Sequence, residues 1–488
     1  MPAKPAQDAG PSGVQPPLCV DLDGTLIRSD VLWESMMKLA NQSPLTVFLL
    51  PLWWMQGRAY LKQRIAERVE LDVAVLPYNQ VFLEYLVAEK RAGRKLILAT
   101  AADERLAFPV ARHTGLFEEV VASNGKTNLR GHNKVRHLTE KFGVKGFDYA
   151  GNSTVDLPVW EGSREAVVVN ADEGLVNRAR KLTRVGAVFN DPLPLWSLCL
   201  KALRPHQWVK NLIILVPLVT SHQLSNPRLL SLALLALVAF SFCASAVYVL
   251  NDLLDMESDR HHATKKHRPF ASGRLLAPVG FALMGFCLLV SAVLCCFLPG
   301  SFAAILAAYL VLTTTYSWRL KQTALLDVFC LAGLYTIRLV AGHAATGIPF
   351  STWLIAFSMF IFLSLALVKR YAELRALQQQ QRNEVVGRGY LATDLDLVAS
   401  LGIGNGYIAV LVMALYVNSQ EVRALYEQPS LLLLACPLLL FWISRVWLLA
   451  HRGKMHEDPI VFALKDPVSY AIGALTLGVV WLATALFH

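Results

Sequence analysis

One short segment of the chain carries four oxygen-bearing side chains at helical spacing. Residues 251–259 read NDLLDMESD, in which Asn251, Asp255 and Asp259 recur at every fourth position and Asp252 lies three before Asp255. If the preceding helix continues, all four side chains share one broad face. Carboxylates this close repel one another and need a countercharge, which Mg²⁺ bridging a diphosphate supplies. The spacing therefore predicts a Mg²⁺–diphosphate site, and the alternative is a solvated acidic helix end.

Basic side chains follow this acidic motif directly. The segment 261–274 reads HHATKKHRPFASGR and contains Lys265, Lys266, Arg268 and Arg274. These cations could bind the remaining phosphate oxygens, and the guanidinium groups could do so with two hydrogen bonds each. Arg268, which precedes a proline, is the best candidate for a phosphate ligand. The alternative is that these charges only set the orientation in a membrane.

The amino-terminal part of the chain has the composition of a soluble α/β domain. From residue 18 to about 195, short apolar runs such as LCVDLDG, KLILATA and EAVVVNAD alternate with charged, helix-like stretches. This alternation predicts parallel β-strands joined by crossover helices. Residues 1–17 are rich in proline, glycine and alanine, and they are predicted to form a disordered tail that lacks the apolar core of a signal peptide.

The remainder of the chain is dominated by apolar segments. Of the whole sequence 55% is apolar and only 17% charged, with a mean hydropathy of +0.42, which favours membrane spans over one soluble globule. Nine apolar segments lie near 208–222, 229–250, 277–298, 302–317, 324–346, 352–368, 397–416, 431–449 and 467–487. The uncharged 229–250 is long enough to cross a bilayer. Residues 196–207 are predicted to be a linker, either an interfacial amphipathic helix or a plain linker helix.

The loops between these segments differ sharply in charge. If successive loops lie on alternate sides of the membrane, the four loops on one side hold fifteen lysines and arginines. The loops on the other side hold two. This asymmetry predicts that the basic loops and the amino-terminal domain are cytoplasmic. The net charge of +10 lies largely in these loops, so no nucleic-acid partner is predicted. The eight cysteines show no C-x-x-C spacing and are predicted to be small core residues, not a disulfide or zinc framework.

The motif NDxxDxxxD, followed by RPxxSG in a chain with about nine spans, resembles the UbiA superfamily of intramembrane prenyltransferases. The resemblance covers about 204–488 and implies a bundle of about nine transmembrane helices around a central cavity. It also implies that Mg²⁺ and a substrate diphosphate are held by the oxygen atoms of Asn251, Asp252, Asp255 and Asp259. Asp252 and Asp255 are the expected catalytic residues of this half.

The sequence departs from the usual family pattern in a later loop. Ordinary members carry a second aspartate-rich motif there, whereas 316–329 reads YSWRLKQTALLDVF and has Asp327 as its single carboxylate. One acidic and one basic cluster suit two phosphorylated substrates better than a prenyl diphosphate and a neutral acceptor. This pattern resembles the branch that makes decaprenylphosphoryl-phosphoribose, and so do the stretches at 204–211, 368–374 and 387–390.

The resemblance to this branch implies transfer of 5-phosphoribosyl from phosphoribosyl diphosphate to a polyprenyl monophosphate. The expected ligands of the substrate phosphates, besides Arg268, are Lys210, Tyr316, Lys321, Lys369 and Arg370. The first three are candidates for the 5-phosphate or the lipid phosphate, and the last two for the lipid head group. The intramembrane Arg338 is a further functional candidate. It lies eleven positions after Asp327 in the sequence, and this separation argues against an ion pair between the two residues.

The segment 18–25, LCVDLDGT, places Asp21 and Asp23 just after an apolar strand, and this DxDGT motif resembles the haloacid dehalogenase (HAD) superfamily of phosphohydrolases. The resemblance implies that Asp21 attacks phosphorus to form an aspartyl phosphate. Asp23 would protonate the leaving oxygen and later deprotonate water. Gly24 would supply the turn between strand and helix.

The other motifs of this superfamily follow in the expected order. Thr100 corresponds to the phosphate-binding position, and Lys134 corresponds to the lysine position, with Lys126 as a weaker alternative. The Mg²⁺ ligands, in addition to the two aspartates, are expected to be Asn152 and Asp156. Asn152 can ligate through its carbonyl oxygen but supplies no charge, which weakens this metal site.

The sequence thus predicts an α/β HAD-like domain at 18–195, which consists of a Rossmann-like parallel sheet with a helical cap. An all-α membrane bundle is predicted to follow at 208–488. The predicted partners are a polyprenyl phosphate, phosphoribosyl diphosphate and membrane lipids, with a homo-oligomer left open. The resemblance implies the bacterial inner membrane and a cell-wall precursor as product, which the HAD-like domain would dephosphorylate. The rival functions are attachment of a polyprenyl chain to an aromatic acceptor, and a transporter or scaffold with a degenerate HAD-like module.

Overall fold

The computed structural model describes residues 15–125, 127–190, 194–262, 264–379, 389–455, 459–463 and 465–485. The chain forms two compact units. The first unit comprises Met1–Leu203 and Tyr248–Leu283, and the second comprises Arg204–Val247 and Met284–His488. The segment that carries the acidic motif therefore packs with the amino-terminal unit. Most of the predicted disordered tail, residues 1–14, lies outside the described residues.

The first unit is built on a six-stranded parallel sheet, which confirms the predicted α/β class. The strands are β1 Leu18–Val20, β2 Leu96–Asp103, β3 Glu119–Ser123, β4 Asp148–Gly151, β5 Glu165–Val169 and β6 Arg184–Phe189. Their order is β3-β2-β1-β4-β5-β6, with β1 paired to both β2 and β4. Leu18 and Val20 belong to the core on one face of the sheet and Cys19 to the core on the other. A strand that is covered on both faces explains the unbroken apolar run in the sequence.

Helices cover both faces of this sheet, and several begin at a side-chain cap. They are α1 Val31–Gln42, α2 Leu50–Met55, α3 Arg58–Ala66, α4 Gln80–Arg91, α5 Glu104–Thr114, α6 His132–Phe142, α7 Leu157–Gly162, α8 Glu173–Leu182 and α9 Leu195–Leu203. Asp30 caps α1 by accepting hydrogen bonds from Leu32 N and Trp33 N, which satisfies donors that the first turn leaves unpaired. The insert between β1 and β2, which contains α1–α4, corresponds to the predicted helical cap.

The described residues after α9 are largely helical. The helices are α10 Val216–Thr220, α11 Pro227–Leu254, α12 Met256–Arg260, α13 Ala277–Cys295, α14 Gly300–Trp318, α15 Leu326–Thr346, α16 Thr352–Gln379, α17 Leu395–Val417, α18 Gln420–Leu425, α19 Ala435–His451, α20 Pro459–Ala463 and α21 Pro467–Ala485. Within the described ranges, eight helices are long and apolar enough to cross a membrane. This observation confirms the predicted polytopic helical class.

The first of the nine predicted apolar segments differs from the others. Residues 208–222 form the end of a 3-10 helix, Pro205–Leu215, and the short α10. Pro217 lies in the first turn of α10 and cannot donate a backbone hydrogen bond, so the two pieces do not continue as one long helix.

Glycines allow close helix packing in the second unit. A Cβ at Gly402 would lie 2.1 Å from Trp447 Cζ2, and a Cβ at Gly406 would lie 2.6 Å from Ile443 Cγ2. Ser364 Oγ of α16 donates to the Gly402 carbonyl of α17 at 2.7 Å. Small residues four positions apart let helix backbones approach, which is how apolar helices gain contact without a hydrophobic driving force.

Candidate active sites

The HAD-like motifs meet at one edge of the sheet in the first unit. Asp21 and Asp23 directly follow β1, and Asn152 and Asp156 follow β4. Because β1 and β4 are parallel neighbours, their carboxyl ends lie side by side, at the edge where open α/β sheets bind ligands. The sequence order of these motifs therefore becomes a spatial cluster.

Lys134 connects the two motifs. Its Nζ donates to Asp21 Oδ1 at 2.9 Å and to Tyr149 Oη at 2.7 Å. The Tyr149 hydroxyl in turn donates to Asp156 Oδ1 at 3.1 Å, and all four side chains are buried. Lys134 therefore lies beside the expected nucleophile. Tyr149 was not predicted, because its contact depends on β4 being placed next to β1.

The two aspartates of DxDGT have different electrostatic environments. Burial raises the pKa of Asp21 to about 6, and Lys134 opposes this shift. The pKa of Asp23 is well above its ordinary value because the side chain is buried near Asp30 and Asp21. Asp23 therefore keeps its proton to a higher pH than an ordinary aspartate, as a general acid requires, whereas Lys134 limits the rise in the pKa of Asp21, as a nucleophile requires.

A cavity of about 540 Å³ opens over these aspartates. The cap helix α3 contributes Arg58 and Lys62 to its lining. Lys62 Nζ donates to the Ala101 carbonyl at 2.5 Å and to Asn128 Oδ1 at 3.4 Å, and burial lowers the pKa of Lys62. Neither cation was predicted, although the charged stretch that begins at residue 58 was the available signal. They add positive charge where a phosphate ester would bind.

Thr100 and Asn152 support the loops around the cavity. Thr100 is buried in β2, and its Oγ1 accepts a hydrogen bond from Ala102 N at 3.0 Å. Asn152 lines the cavity and packs against Gly24, where an added Cβ would lie 2.0 Å from Asn152 Nδ2. Gly24 also has a φ of 74°, so both the space and the backbone favour glycine here.

Gly24→Ala is expected to abolish hydrolysis of p-nitrophenyl phosphate and to cost about 1–2 kcal/mol of stability. Gly93→Ala is the matched control, because Gly93 has a φ of 84° and nothing within 4 Å of the added Cβ. The temperature of thermal unfolding should fall in both variants, and it should fall further in Gly24→Ala because the added Cβ also meets Asn152. Only Gly24→Ala should lose activity. Equal activity in both would contradict the role given to the contact between Gly24 and Asn152.

The acidic motif lies across a break between two helices. Helix α11 ends at Leu254 and α12 begins at Met256, with Asp255 between them. The prediction that one helix continues unbroken through the motif is therefore wrong. Two backbone hydrogen bonds still cross the break, from Asp255 N to Asn251 O at 2.9 Å and from Asp259 N to Asp255 O at 2.8 Å.

Arg268 supplies a countercharge to this motif within the first unit. Its Nη1 lies 3.1 Å from Asp252 Oδ1 and 2.6 Å from Asp259 Oδ2. Both carboxylates are buried, and burial raises the pKa of Asp259 while Arg268 opposes the shift. The contact of Arg268 with the carboxylates was not predicted, and its assignment to a substrate phosphate stays a prediction.

The donor atoms of the motif suit a hard divalent cation. Asn251 Oδ1 is shielded from solvent and accepts no hydrogen bond from the described residues. Together with the carboxylates of Asp252 and Asp259 it offers the oxygen ligands that Mg²⁺ prefers. Across the described ranges, no three acidic, histidine or cysteine side chains already converge as a metal site. Arg268 contacts one oxygen of each carboxylate, so a cation bound at this motif would lie beside the Arg268 guanidinium.

Asp327 and Arg370 form a buried ion pair in the second unit. Arg370 Nε donates to Asp327 Oδ2, and both side chains are almost fully excluded from solvent. The Tyr390 hydroxyl donates to the other oxygen, Asp327 Oδ1, at 2.6 Å. Arg370 Nη2 is buried and has no hydrogen-bond partner among the described residues, so this donor remains for a ligand.

The other predicted phosphate ligands of this unit are spread over several helices. Lys210 Nζ lies 5.7 Å from the centroid of the Tyr335 ring, within the range of a cation–π interaction. Tyr316, Lys321 and Lys369 are each partly exposed. Their assignment to particular substrate phosphates stays a prediction.

Arg338 is buried in the middle of α15 and does not contact Asp327 in any described hydrogen bond or ion pair. Its Nε donates to Asn211 Oδ1 at 2.8 Å, and its guanidinium lies 5.2 Å from the ring centroids of Phe240 and Tyr309. An intramembrane arginine is thus stabilised by an amide and aromatic faces, and no carboxylate among the described residues pairs with it. Sequence spacing had argued against the pair with Asp327, and the contacts agree.

Comparison with known proteins assigns each half to a family. The UbiA prenyltransferase family model matches residues 212–465, and the haloacid dehalogenase-like hydrolase model matches residues 18–161. The protein y4nM of Sinorhizobium fredii is 37% identical over 464 residues, which cover 94% of this chain and 89% of that protein. Nodulation protein NoeC of Azorhizobium caulinodans is 37% identical over 298 residues, 59% of this chain and 94% of NoeC.

A third relative matches part of the membrane half. The decaprenyl-phosphate phosphoribosyltransferase of Mycolicibacterium smegmatis is 34% identical over 192 residues, which cover 38% of this chain and 60% of that enzyme. The chain therefore belongs to the UbiA prenyltransferase family of multi-pass membrane proteins and carries a haloacid dehalogenase-like domain at its amino terminus.

Proposed function

We propose that the protein transfers 5-phosphoribosyl from phosphoribosyl diphosphate to a polyprenyl phosphate in a Mg²⁺-dependent reaction. The sequence identity to an enzyme named decaprenyl-phosphate phosphoribosyltransferase supports this reaction over other reactions of the family. The HAD-like domain would then remove the 5-phosphate from the lipid product.

The observation that carries the proposal is that Asp327 is buried and paired with Arg370. This residue is the single carboxylate of the later loop motif, it is 0% exposed, and it is neutralised by Arg370. A prenyl diphosphate held by two metal clusters would need free carboxylates at this point. A single acidic motif combined with cations such as Lys321, and with the remaining Nη2 donor of Arg370, is better suited to a second phosphorylated substrate.

The proposed transfer depends on phosphate positioning. Asn251, Asp252, Asp255 and Asp259 would hold Mg²⁺, which would supply positive charge to the departing diphosphate at C1 of the ribose. Arg268 would exchange a carboxylate for a diphosphate oxygen as the substrate enters. The lipid phosphate oxygen is already anionic, so it attacks C1 without a strong base. Arg370, through its remaining Nη2 donor, is the candidate that orients this phosphate.

The proposed hydrolysis uses the buried pair of the HAD-like domain. The Asp21 carboxylate attacks phosphorus, and the bond to the sugar oxygen breaks while Asp23 donates its proton to that oxygen. Asp23 then accepts a proton from water, which attacks the aspartyl phosphate and releases inorganic phosphate. Lys134, 2.9 Å from Asp21, orients the nucleophile and balances its charge. A phosphatase on the same chain would also meet the product at high effective concentration.

We further propose that the protein lies in the bacterial cytoplasmic membrane with its amino-terminal domain in the cytoplasm. The fifteen basic residues in one set of loops against two in the other support this orientation. The domain division at 196–207 is part of the same proposal. Helix α9 covers most of that linker and exposes Leu195 and Trp196, as an interfacial helix would.

The test compares two labelled donors with purified protein in lipid nanodiscs. Phosphoribosyl diphosphate labelled in the ribose is expected to transfer label to decaprenyl phosphate, in a Mg²⁺-dependent manner. Labelled prenyl diphosphate with 4-hydroxybenzoate is expected to give no product. Label transfer in the second assay alone would reject the proposal in favour of aromatic prenylation.

A further inference from the structure

Helix α1 of the cap forms part of the phosphatase pocket. Its first residue, Val31, donates its backbone N–H to Asp23 Oδ1 at 2.7 Å. The capping residue Asp30 and the side chain of Trp33 line the same cavity. The start of α1 is therefore fixed by the expected general acid of the HAD-like site.

One turn later, α1 forms a buried ion pair with the acidic motif. Glu34 Oε1 lies 2.5 Å from Arg260 Nη2, and Glu34 Oε2 accepts from Arg260 Nη1 at 3.0 Å. The two side chains are 5% and 6% exposed. Arg260 Nε also donates to the Ala271 carbonyl at 2.7 Å. Arg260 directly follows Asp259 in the chain, so this pair fixes the backbone beside a predicted metal ligand.

The same face of α1 makes further contacts on both sides of the helix break. Lys38 Nζ lies 2.7 Å from Glu257 Oε1, and Asn41 Nδ2 donates to the Leu254 carbonyl at 3.3 Å. Glu34, Lys38 and Asn41 recur at the spacing of one helical face. Helix α1 therefore contacts both α11 and α12, the two helices that meet at Asp255.

We propose that Glu34 and Arg260 are positioning residues of the transferase motif. Through this pair, the phosphatase cap holds α12 against the end of α11, so that Asp259 stays close enough to Asp252 to share a cation. A bidentate pair with both charges buried is specific in geometry, and loss of one partner leaves an uncompensated buried charge. The cap of one catalytic domain thus sets the cation affinity of the other.

The test measures Mn²⁺ binding by electron paramagnetic resonance in the full-length protein. The Asp252→Asn variant defines the share of bound Mn²⁺ that the acidic motif holds. Glu34→Gln is expected to weaken Mn²⁺ binding at the acidic motif about tenfold and to raise KM for phosphoribosyl diphosphate. Hydrolysis of p-nitrophenyl phosphate should stay within twofold of the wild-type rate.

A paired replacement separates positioning from stability. Glu34→Met with Arg260→Met removes both charges, so it should preserve folding while losing the contact. It is expected to weaken Mn²⁺ binding as much as Glu34→Gln. The matched control, Lys38→Met with Glu257→Met, removes a partly exposed pair on the same face and is expected to change affinity less than twofold.

Wild-type Mn²⁺ affinity in the folded Glu34→Met, Arg260→Met protein would overturn this inference. A tenfold loss of Mn²⁺ affinity in the Lys38→Met, Glu257→Met control would also overturn the inference. The effect would then follow from the loss of any contact of α1 and would not be specific to Glu34 and Arg260. The inference rests on the proposed transfer only for its KM readout. If the wild-type protein transfers no ribosyl group, the proposed function fails, and the Mn²⁺ comparison still decides the role of Glu34 and Arg260.

Discussion

Asp252→Asn and Asp255→Asn are each expected to reduce phosphoribosyl transfer by about 10²- to 10³-fold, while the protein stays inserted in the membrane. Asp252 is 2% exposed and belongs to the one acidic motif that the proposed reaction uses. Loss of one carboxylate weakens the cation that stabilises the departing diphosphate, and removal of a single charge-stabilising group commonly costs 10²- to 10³-fold. Transfer of labelled ribose to lipid is the measurement.

Glu257→Gln is the matched control for these variants. Glu257 lies within the same segment but pairs with Lys38 at a partly exposed position, so its loss should change transfer by less than about threefold. Near-normal turnover in Asp252→Asn would remove the metal assignment. Equal losses in Asp252→Asn and Glu257→Gln would indicate general disruption of the segment, and the specific role of Asp252 would be rejected.

Asp21→Asn is expected to lower phosphatase activity by about 10⁴-fold or more, with transfer unchanged. Asp21 is the expected nucleophile, and an amide cannot form the aspartyl phosphate. If the two activities act in sequence, this variant should accumulate the lipid product that still carries its 5-phosphate. Mass spectrometry of the lipid extract distinguishes that product from the dephosphorylated one.

Asp172→Asn controls for the loss of an acidic side chain in the same domain. Asp172 caps α8 by accepting from Leu175 N at 2.6 Å, and asparagine caps helices equally well. Phosphatase activity in this variant should stay within about twofold of wild type. An unchanged rate of product dephosphorylation in Asp21→Asn would show that the proposed coupling of the two halves is wrong.

The two sets of variants also separate the competing functions. A prenyltransferase for aromatic acceptors would lose its activity in Asp252→Asn but would show no ribosyl transfer in the wild-type protein. A transporter or scaffold with a degenerate HAD-like module would show neither transfer nor hydrolysis. Two independent activities, each removed by its own aspartate, are expected only from the bifunctional enzyme.

Local pattern was enough to predict the fold classes. The apolar run before Asp21 and the alternation of apolar and charged stretches predicted a parallel sheet. The structure then places Asp21 and Asp156 at one edge of that sheet, because the carboxyl ends of neighbouring parallel strands must meet. The membrane helices were similarly predictable, since length and hydropathy are properties of a continuous segment.

Only the tertiary structure decided which charges pair. Arg370 contacts Asp327 across 43 positions, and Arg260 contacts Glu34 across 226. Arg268, which was assigned to a substrate phosphate, holds two carboxylates of its own segment. Sequence spacing specifies neighbours along one helix or strand, whereas the partner of a buried charge depends on which elements pack together. Burial then makes that pairing obligatory, because an unpaired charge inside the protein costs several kcal/mol.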